Sequence, residues 1–573
     1  MQIVVTHGDI QLFKINRIGQ TYSHIQRYRQ ILTVITKYGF IDVVSALNIE
    51  QYLEIGLRIV TLKRHEKLDR LPRAVRVRKM LEELGPTFMK MGQILSTRPD
   101  LLPAEFIAEL SELQDSVQPF SYDRAAAIVA EEFGKPVSEI FSSFDEEPLA
   151  AASIGQVHKA VLADGSSVAV KIQRPDINSI IEVDLEILTH MAELAEKHLD
   201  EWSAARPTRI VEEFAHTLAR ELDYTIEAAY MERFARQFKD EPAVYVPKVY
   251  RDSTTSRILT MEYISGVRVK DSEGLAAKGL DRKIIARQGL ILILKQVFEH
   301  GFFHADPHPG NIFVLPENVI CYIDFGMMGR LSAHNREAFA DLLMGIVNRD
   351  EKEVTRNLLS LTDHNQETDL SSLESDVTDF LDQHCYRPLK ELNLGSLLQH
   401  LISIILRHKL SVPTDMFLLI KAMSTVEGLG LMLDPELDVV NEAAPFIKKI
   451  KMERFSPIRL TKDIASAGAE FFQLFKEIPT ELRALLKMLR RGKVRIEFEH
   501  KGLEEMLVTH DRISNRISFA VVLASLVIGS ALIVLSGIPP KWHEVPVIGL
   551  AGFMLAGVMG FGLLVSILRR GKL

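Results

Sequence analysis

One eight-residue segment carries the side chains with the clearest chemistry in this sequence. Residues 304–311 read His-Ala-Asp-Pro-His-Pro-Gly-Asn, and Asp324-Phe325-Gly326 follow after a short hydrophobic stretch. Phosphoryl transfer from a nucleoside triphosphate needs oxygen ligands for a divalent metal ion and a carboxylate beside the nucleophile. We therefore predict that Asn311 and Asp324 are metal ligands and that Asp306 is the catalytic carboxylate.

Both motifs must be brought together by the strands between them. Their order is the one found in protein kinases, in which an Asp and a downstream Asn precede an Asp-Phe-Gly. Residues 312–314 and 319–323 are predicted to form a hairpin that carries Asn311 and Asp324 side by side. The alternative is a polar turn before a hairpin, without chemistry.

A lysine near the end of a predicted strand is the second part of the site. Residues 167–172 read Ser-Val-Ala-Val-Lys-Ile, and kinase-like sites use such a lysine, oriented by a helix glutamate, to hold the α- and β-phosphates. We predict this catalytic role for Lys171. Glu227 is the first candidate for its partner and Glu221 the second.

Both glutamates lie on a helix predicted from about residue 210 to 234. In that helix Asp223 and Glu227 would share one face, where like charges are destabilising unless a cation lies between them. This pattern favours a functional acidic cluster, and a solvated acidic face is the alternative.

The segment before the lysine strand lies where kinases cover the phosphates with a glycine-rich loop, yet it has a single glycine. Because other residues reach positive φ less readily, the loop geometry must differ, and transfer to a protein substrate is not implied. The predicted nucleotide contacts in this loop are Ala151, Ala152, Ser153, Ile154, Gly155, Gln156 and Val157. Residues 258–263 read as a strand entering a hinge, where the backbone of Glu262 and Tyr263 is predicted to meet the adenine.

Length and composition predict a folded protein with more than one domain. The chain has 573 residues, of which 25% are charged and 47% hydrophobic, as in ordinary globular proteins. A net charge of −8 argues against nucleic-acid binding by bulk electrostatics. Cys321 and Cys385 match no zinc or redox spacing, and Cys321 is predicted to be a small core residue.

The end of the chain departs from this soluble pattern. Residues 517–535 and 547–568 are uncharged, and each run would form a helix of about 30 Å, the thickness of a bilayer core. Small residues recur every four positions at Gly552, Ala556 and Gly560 and at Ser525 and Gly529, which favours close helix packing. Basic residues flank both ends, so the positive-inside rule places the large domain in the cytoplasm. We predict a transmembrane hairpin, with a buried soluble hairpin as the alternative.

Residues 445–495 combine many lysines and arginines with interleaved Phe and Leu. Such a pattern beside a membrane anchor favours basic amphipathic helices in contact with anionic lipid headgroups. A solvated bundle face is the alternative. The first thirty residues have no apolar core of the signal-peptide type.

Residues 84–103 carry a specific resemblance. They read Leu-Gly-Pro-Thr-Phe-Met-Lys-Met-Gly-Gln and, after Ile94, Leu-Ser-Thr-Arg-Pro-Asp-Leu-Leu-Pro. This resembles the Lys-x-Gly-Gln signature of the UbiB/ADCK (aarF-domain) family of atypical kinase-like proteins. The alanine-rich loop, Glu221-x-Asp223 and the motif at 304–311 also match that family. The resemblance covers residues 84 to about 330, and the remainder is similar to the bacterial UbiB branch.

The resemblance implies an α+β, protein-kinase-like two-lobed fold, with N-terminal helices covering the place where a kinase receives a peptide. Lys90 and Gln93 would then lie near the phosphates, in one polar cluster with Glu221 and Asp223. Family members are similar in using ATP and Mg²⁺ to support ubiquinone biosynthesis at a membrane. Ala305 replaces the arginine of the kinase His-Arg-Asp motif, which usually receives an activation-loop phosphate, so activation by phosphorylation is not expected.

The resemblance also implies a bacterial inner-membrane protein. Its expected partners are membrane lipids, a polyprenyl-phenol or quinone precursor and other quinone-biosynthesis enzymes, with homo-oligomerisation as a further expectation. Three functions remain open: a membrane-anchored ATPase, a small-molecule, lipid or protein kinase, and a non-catalytic nucleotide-binding scaffold. The expected domains are an N-terminal helical extension (1–120), an N-lobe (121–265), a C-lobe with added helices (266–445), a basic region (446–510) and the transmembrane hairpin (511–573).

Overall fold

The computed structural model describes residues 20–47, 71–113, 118–198, 206–362, 369–384, 393–454, 503–543 and 545–570. The chain divides into two compact units, residues 1–461 and 462–573, and each is described by itself. Cys385 and most of the predicted basic region lie outside the described residues.

The first sheet carries Lys171. Its strands are β1 (Phe141–Phe144), β2 (Ala150–Ala151), β3 (Gly155–Leu162), β4 (Ser167–Gln173) and, later in the chain, Ile258–Glu262. They are antiparallel in the order β1, β3, β4, Ile258–Glu262, with β2 added to β3. Side chains alternate between the two faces of a strand. Val168, Val170 and Ile172 therefore pack on one face, while Ala169 and Lys171 belong to the opposite face.

The second sheet carries the predicted metal ligands. Its strands are β5 (Val244–Tyr245), β7 (Val267–Arg268), β9 (Ile312–Val314) and β10 (Ile320–Tyr322). The label β6 belongs to the strand Ile258–Glu262 of the first sheet. Strands β9 and β10 form the predicted antiparallel hairpin. A further pair, β8 (Phe302–His304) and β11 (Met328–Arg330), lies on either side of it in sequence. Cys321 is fully buried in β10, as predicted.

Helices α1 to α8 precede or accompany the first sheet. They are Gln20–Lys37, Ile41–Ala46, Arg73–Leu84, Pro86–Leu95, Ala104–Ser111, Tyr122–Phe133, Val137–Ile140 and Ile177–His198. Buried side chains of α1 to α5 and α8 form one apolar cluster, and α6 packs against the buried face of the sheet. The helix that carries the Lys-x-Gly-Gln motif, α4, is thereby fixed by its neighbours rather than by the sheet.

Residues 210–234 do not form the single helix that the sequence predicted. Two helices, α9 (Pro207–Glu221) and α10 (Tyr224–Gln237), are separated at Leu222 and Asp223. Asp223 is the N-cap of α10, and its Oδ1 accepts a hydrogen bond from Thr225 N at 2.9 Å. An aspartate is strongly favoured at this position, which outweighs continuation of the helix. The prediction that Asp223 and Glu227 share a helix face was therefore wrong.

The remaining helices of the first unit form its largest core. They are α11 (Ser272–Ala277), α12 (Arg282–Leu294, continued by a π-helical segment Lys295–His300), α13 (Ala333–Asn348), α14 (Glu351–Ser360), α15 (Leu370–His384), α16 (Leu394–Arg407), α17 (Thr414–Leu433) and α18 (Val439–Arg454). Their buried side chains join the second sheet in one cluster. Helix α17 is apolar enough to cross a membrane, but half of it is buried in this core.

The described part of the second unit, from residue 503 onward, contains two long helices, α19 (Leu503–Ser536) and α20 (Val547–Arg570). The short strands β12 (Lys541–Trp542) and β13 (Val545–Pro546) lie between them. Ile513–Ser536 is the second described helix of membrane-spanning length and composition, and only 6% of its apolar window is buried. The described side chains of α20 form a shorter apolar segment, Val547–Gly562.

The two long helices pack through small residues, though not through all those predicted. A Cβ atom at Gly552 would lie 2.1 Å from Ser530 Oγ, so the backbones approach closely there. Ala556 is also buried. On the first helix, however, Ser525 is exposed, and a Cβ atom at Gly529 would meet nothing within 4 Å. The prediction that Ser525 and Gly529 form the contact face of the first helix was wrong. Ser530 lies at the contact with the second helix instead, because the crossing of the two helices determines which face is buried.

Candidate active site

Lys171 and Glu227 form a buried ion pair between strand β4 and helix α10. The Lys171 Nζ atom lies 3.1 and 2.9 Å from the two carboxylate oxygens of Glu227, and the side chains are only 16% and 6% exposed. Helix α10 begins at Tyr224, so Glu227 lies in its first turn. Of the two predicted partners, Glu227 is therefore the one that holds Lys171.

The Asp-Phe-Gly segment is attached to the same pair. The backbone N–H of Phe325 donates to Glu227 Oε1 at 3.3 Å, and that of Gly326 donates to Asp324 Oδ1 at 2.9 Å. Burial disfavours the charged form of Lys171, but the carboxylates of Glu227 and Asp324 outweigh it and raise the pKa of the lysine. Lys171 is therefore a fixed positive charge at the junction of the three elements.

The two carboxylates respond differently to this charge. Burial raises the pKa of Asp324, but Lys171 and the Gly326 amide outweigh it and lower the pKa to about 2. Burial also raises the pKa of Glu227, and Lys171 does not fully offset that effect because the negative charge of Asp324 adds to it. Asp324 is thus held in its ionised form, the form in which a carboxylate can bind a cation.

Asn311 and Asp324 lie on adjoining segments, as the predicted hairpin required, and Asp306 is linked to them through His304. The backbone N–H of Ile323, next to Asp324, donates to the carbonyl oxygen of Asn311 at 3.1 Å. The His304 side chain links the segment of Asp306 to the segment of Asp324. Its Nδ1 accepts from the Asp306 N–H at 3.2 Å, and its Nε2 faces the Asp324 carbonyl oxygen.

His304 contacts the backbone beside two predicted site residues, and the sequence reasoning did not single it out. Because Nδ1 accepts a hydrogen bond, the hydrogen of the neutral ring belongs on Nε2, where it can donate to Asp324. Burial lowers the pKa of His304, which keeps the ring in this neutral form. Its position two residues before Asp306 was the available signal.

The alanine-rich segment is a tight hairpin rather than an open loop. Ala150 and Ala151 form β2, paired with Val157 and Gln156 on β3, and the Ala152 N–H donates to the Gly155 carbonyl oxygen at 2.7 Å. The side chains of Ser153, Ile154 and Gln156 are buried. Whatever this segment contributes to a nucleotide must therefore come mainly from its backbone.

Two residues of this hairpin have specific structural roles. The Gln156 amide bonds the backbone N–H and carbonyl oxygen of Phe120, at 2.9 and 3.1 Å, and so is turned into the protein. A Cβ atom at Gly155 would lie 2.5 Å from the Tyr224 hydroxyl and 2.6 Å from the Ile172 carbonyl oxygen. The one glycine is required by close approach.

The Lys-x-Gly-Gln helix reaches the same region. Lys90 Nζ lies 3.2 Å from Glu221 Oε2, at the end of α9, and the charge of Lys90 contributes to lowering the pKa of Asp324. Gln93 Nε2 donates to the Leu113 carbonyl oxygen at 3.2 Å. A Cβ atom at Gly92 would lie 2.4 Å from a Leu113 methyl group, so this glycine allows the helices to pack. Glu221 is thus the partner of Lys90, not of Lys171.

The predicted hinge residues already have several partners. The backbone N–H groups of Glu262 and Tyr263 donate to the carbonyl oxygens of Lys248 and Ser167, at 2.8 and 3.0 Å. The Glu262 carboxylate accepts from the Tyr245 hydroxyl at 2.6 Å. Contact of this strand with adenine stays a prediction, and it would have to use groups other than these two amides.

The oxygen donors fit magnesium bound together with a triphosphate. Within the described ranges, no three His, Cys, Asp or Glu side chains form a metal site on their own. Asp324 and Asn311 offer one carboxylate and one amide oxygen, and Mg²⁺ commonly takes its other ligands from phosphates and water. Two cations, Lys171 and Lys90, act on three carboxylates, those of Glu227, Asp324 and Glu221. This leaves a negative charge for a divalent cation to neutralise.

A strand lysine held by a helix glutamate, beside an Asp-Phe-Gly and a preceding Asp and Asn, defines a kinase-like protein. Comparison with known proteins agrees. Residues 112–358 match the ABC1 atypical kinase-like domain, residues 377–438 the UbiB helical domain, and residues 501–569 the ABC1/UbiB kinase-like C-terminal domain.

Related proteins extend this match over most of the chain. A protein of Clostridium pasteurianum named "Uncharacterized protein in hydrogenase 1 5'region" is 33% identical over 96% of this chain and 100% of its own length. A protein of Cellvibrio japonicus named "Probable protein kinase UbiB" is 37% identical over 72% of this chain and 75% of its own length. A protein of Marinobacter nauticus with the same name is 34% identical over 85% of this chain and 91% of its own length. The chain belongs to the ABC1/UbiB family of atypical kinase-like proteins, as the resemblance predicted.

Proposed function

We propose that this protein is a membrane-anchored, Mg²⁺-dependent ATPase that supports ubiquinone biosynthesis. One observation carries the catalytic part of the proposal. Lys171, Glu227 and Asp324 form a single charged cluster, and Asn311 lies directly before strand β9, where its carbonyl oxygen bonds the segment of Asp324. In kinase-like sites such a cluster holds the phosphates and the metal.

Each residue has a proposed role in this reaction. Lys171 holds the α- and β-phosphates and is oriented by Glu227, while Asp324 and Asn311 hold Mg²⁺, which neutralises charge on the phosphates when bound. Asp306 orients water or an acceptor hydroxyl and takes its proton. The Lys-x-Gly-Gln helix would cover the site with a polar cluster near the phosphates. This cluster consists of Lys90, Gln93, Glu221 and Asp223.

The site is proposed to lie between two lobes built around the two sheets. The first sheet with the backbone of residues 151–157 would cover the phosphates, and Glu262 and Tyr263 would border the adenine. As the resemblance implies, α4 would cover the place where a kinase receives a peptide. This arrangement favours turnover with water or a small acceptor over protein phosphorylation.

The long helices α19 and α20 are proposed to form the membrane anchor. Only 6% of the apolar window in Ile513–Ser536 is buried within its unit, and exposed side chains such as Ile528, Leu532 and Leu535 favour contact with lipid. From the resemblance to UbiB, the lipid handled would be a polyprenyl-phenol intermediate at the bacterial inner membrane. ATP turnover would expose this intermediate to the enzymes that modify it.

ATP labelled on its γ-phosphate separates the three open functions. The full-length protein in lipid vesicles with a polyprenyl-phenol should release labelled phosphate. Transfer of label to the lipid would instead identify a lipid kinase, and neither product would leave a nucleotide-binding scaffold. Asp324→Asn should abolish release, whereas Asp341→Asn, which removes an aspartate paired with Arg454 at 2.9 Å, should not.

The pathway is tested separately in cells. In a deletion strain, extracted quinone should fall and an early prenylated phenol should accumulate, and the wild-type gene should restore quinone while Asp324→Asn should not. Normal quinone levels in the deletion strain would refute the proposed pathway without bearing on ATP hydrolysis.

A further inference from the structure

A lysine from the helical domain contacts the candidate catalytic carboxylate. Lys421 Nζ lies 3.0 Å from Asp306 Oδ1. Lys421 belongs to helix α17, within residues 377–438 that match the UbiB helical domain, whereas Asp306 belongs to the ABC1 kinase-like match at 112–358. The helical domain therefore supplies a charged group to the predicted site of transfer.

Helix α17 is held in place by contacts that do not involve Lys421. Asp415 Oδ1 accepts from the backbone N–H of Arg330, just after the Asp-Phe-Gly segment, at 3.3 Å. Glu427 accepts from the backbone N–H groups of Leu394 and Gly395 at 2.7 and 2.6 Å. Leu419, Ala422 and Met423 are buried on the core side. The position of Lys421 is thus fixed by its helix, and the ion pair is not needed to hold the helix.

The exposure of the pair argues against a role in stability. The Lys421 and Asp306 side chains are 34% and 40% exposed, and ion pairs of this kind contribute little to folding because water screens them and two long side chains lose freedom. The same opening to solvent is needed by a carboxylate that must reach a water molecule or an acceptor hydroxyl. The contact suits chemistry better than folding.

We propose that Lys421 is a positioning residue for the transfer step, which rests on the proposed ATPase function. Its ammonium group holds the Asp306 carboxylate in the orientation that accepts the proton of the nucleophile. As the nucleophile's oxygen bonds to the γ-phosphorus, the bond from phosphorus to the ADP oxygen breaks and ADP leaves with the electron pair. The nucleophile's proton passes to Asp306, and Lys421 stays protonated throughout.

The test uses the full-length protein with MgATP and measures turnover and nucleotide affinity separately. Lys421→Gln should lower kcat by about ten-fold or more with nucleotide affinity nearly unchanged, because only the transition state needs an oriented base. Lys421→Arg should restore part of kcat. In an Asp306→Asn background, Lys421→Gln should have no further effect, because the group through which it acts is gone.

Lys449→Gln is the matched control. Lys449 on α18 lies just after the helical-domain match and pairs with Glu299 of the kinase-like domain at 2.7 Å, so its ion pair does not involve Asp306. This variant should keep wild-type turnover, and all variants should keep the wild-type thermal midpoint.

Four results would overturn the inference while leaving the proposed function intact. The first two are wild-type kcat in Lys421→Gln and an equal loss of kcat in Lys449→Gln. The others are an undiminished further loss of kcat in the Asp306→Asn background and a fall in nucleotide affinity without a fall in kcat. If the wild-type protein does not hydrolyse ATP, the proposed function fails and the inference fails with it.

Discussion

Replacing Lys171 with methionine should expose how strongly the site depends on one cation. Lys171→Met keeps a long side chain in strand β4 but leaves the Glu227 carboxylate, now contacted at 2.9 and 3.1 Å, without its counter-ion. Asp324 also loses the charge that lowers its pKa. Breaking a buried ion pair by removing one partner costs about 3–5 kcal/mol, and we expect a loss of unfolding free energy in this range at pH 7.

The loss should depend on pH in a defined direction. Burial already raises the pKa of Glu227, and without Lys171 that pKa rises further above the value in the unfolded chain. The folded variant then binds more protons than the unfolded one, so its unfolding free energy increases as pH falls. The recovery should reach about 1.4 kcal/mol per pH unit for each proton taken up.

Urea unfolding of the full-length protein in detergent, followed by circular dichroism, measures these changes. Lys159→Met on β3 is the control, because Lys159 lies 4.7 Å from the Tyr263 ring and forms no salt bridge with a described residue. It should cost only about 0.5–1 kcal/mol. Adding Glu227→Gln to Lys171→Met should restore about 2 kcal/mol of the unfolding free energy, because the buried carboxylate without a counter-ion is removed. Equal costs for the two lysines, or no rescue, would refute the reasoning.

Three further predictions concern the hairpin at the site, its histidine and the long helices. Gly155→Ala should destabilise the protein by about 1–3 kcal/mol, because the new Cβ atom meets a tyrosine hydroxyl and a strand carbonyl oxygen. Gly428→Ala in helix α17 should instead stabilise it by about 0.5–1 kcal/mol, because a Cβ atom there meets no neighbour. Urea unfolding midpoints of the two variants measure the difference. The pKa of His304 is lowered in the folded protein, so below about pH 6.5, the pKa of an unfolded histidine, the unfolded chain binds a proton that the folded protein does not. The unfolding free energy is therefore full above that pH and falls below it. His304→Gln should remove that acid loss of about 1.4 kcal/mol per pH unit, measured as the difference between the two pH profiles. Gly552→Leu should separate the helices of the second unit, while Gly557→Leu, with open space, should not, as read from disulfide cross-linking between engineered cysteines on the two helices.

Each of these predictions has a contrary outcome. Equal urea midpoints for the two alanine variants would mean that the close approach in the hairpin relaxes at little cost. Identical pH profiles for wild type and His304→Gln would mean that the buried ring does not resist protonation. Undiminished cross-linking in Gly552→Leu would mean that the helix contact does not depend on this glycine.

Local patterns were enough to predict the strands that carry the chemistry. The alternation in 167–172 and the hydrophobic runs around the turn after residue 314 are short-range signals, and both appear as strands. The ordered motifs then identified the kinase-like class. Glu227 was ranked above Glu221 because its predicted like-charge pair with Asp223 pointed to a functional cluster. The structure supports the choice, since Lys171 pairs with Glu227, but not the reason, since the helix breaks at Asp223.

Features that depend on contacts between distant segments were not predictable in this way. The break at Asp223 was missed because its preference for a helix N-cap competes with the apolar period of residues 210–234. The contact of Lys421 with Asp306 has no local signal, since it depends on where α17 crosses the end of β11. The face of α19 that meets α20 likewise follows from the crossing of two helices, so Ser530 could not be distinguished from Ser525.

Calorimetric titration of the full-length protein with ATP tests the central claim most directly. The account predicts binding in the presence of Mg²⁺, a large loss of affinity when the metal is chelated, and loss of that metal dependence in Asp324→Asn, while Asp341→Asn behaves as wild type. Binding that is equally strong without the metal, or unchanged in Asp324→Asn, would contradict a site in which Asp324 holds Mg²⁺ against the triphosphate.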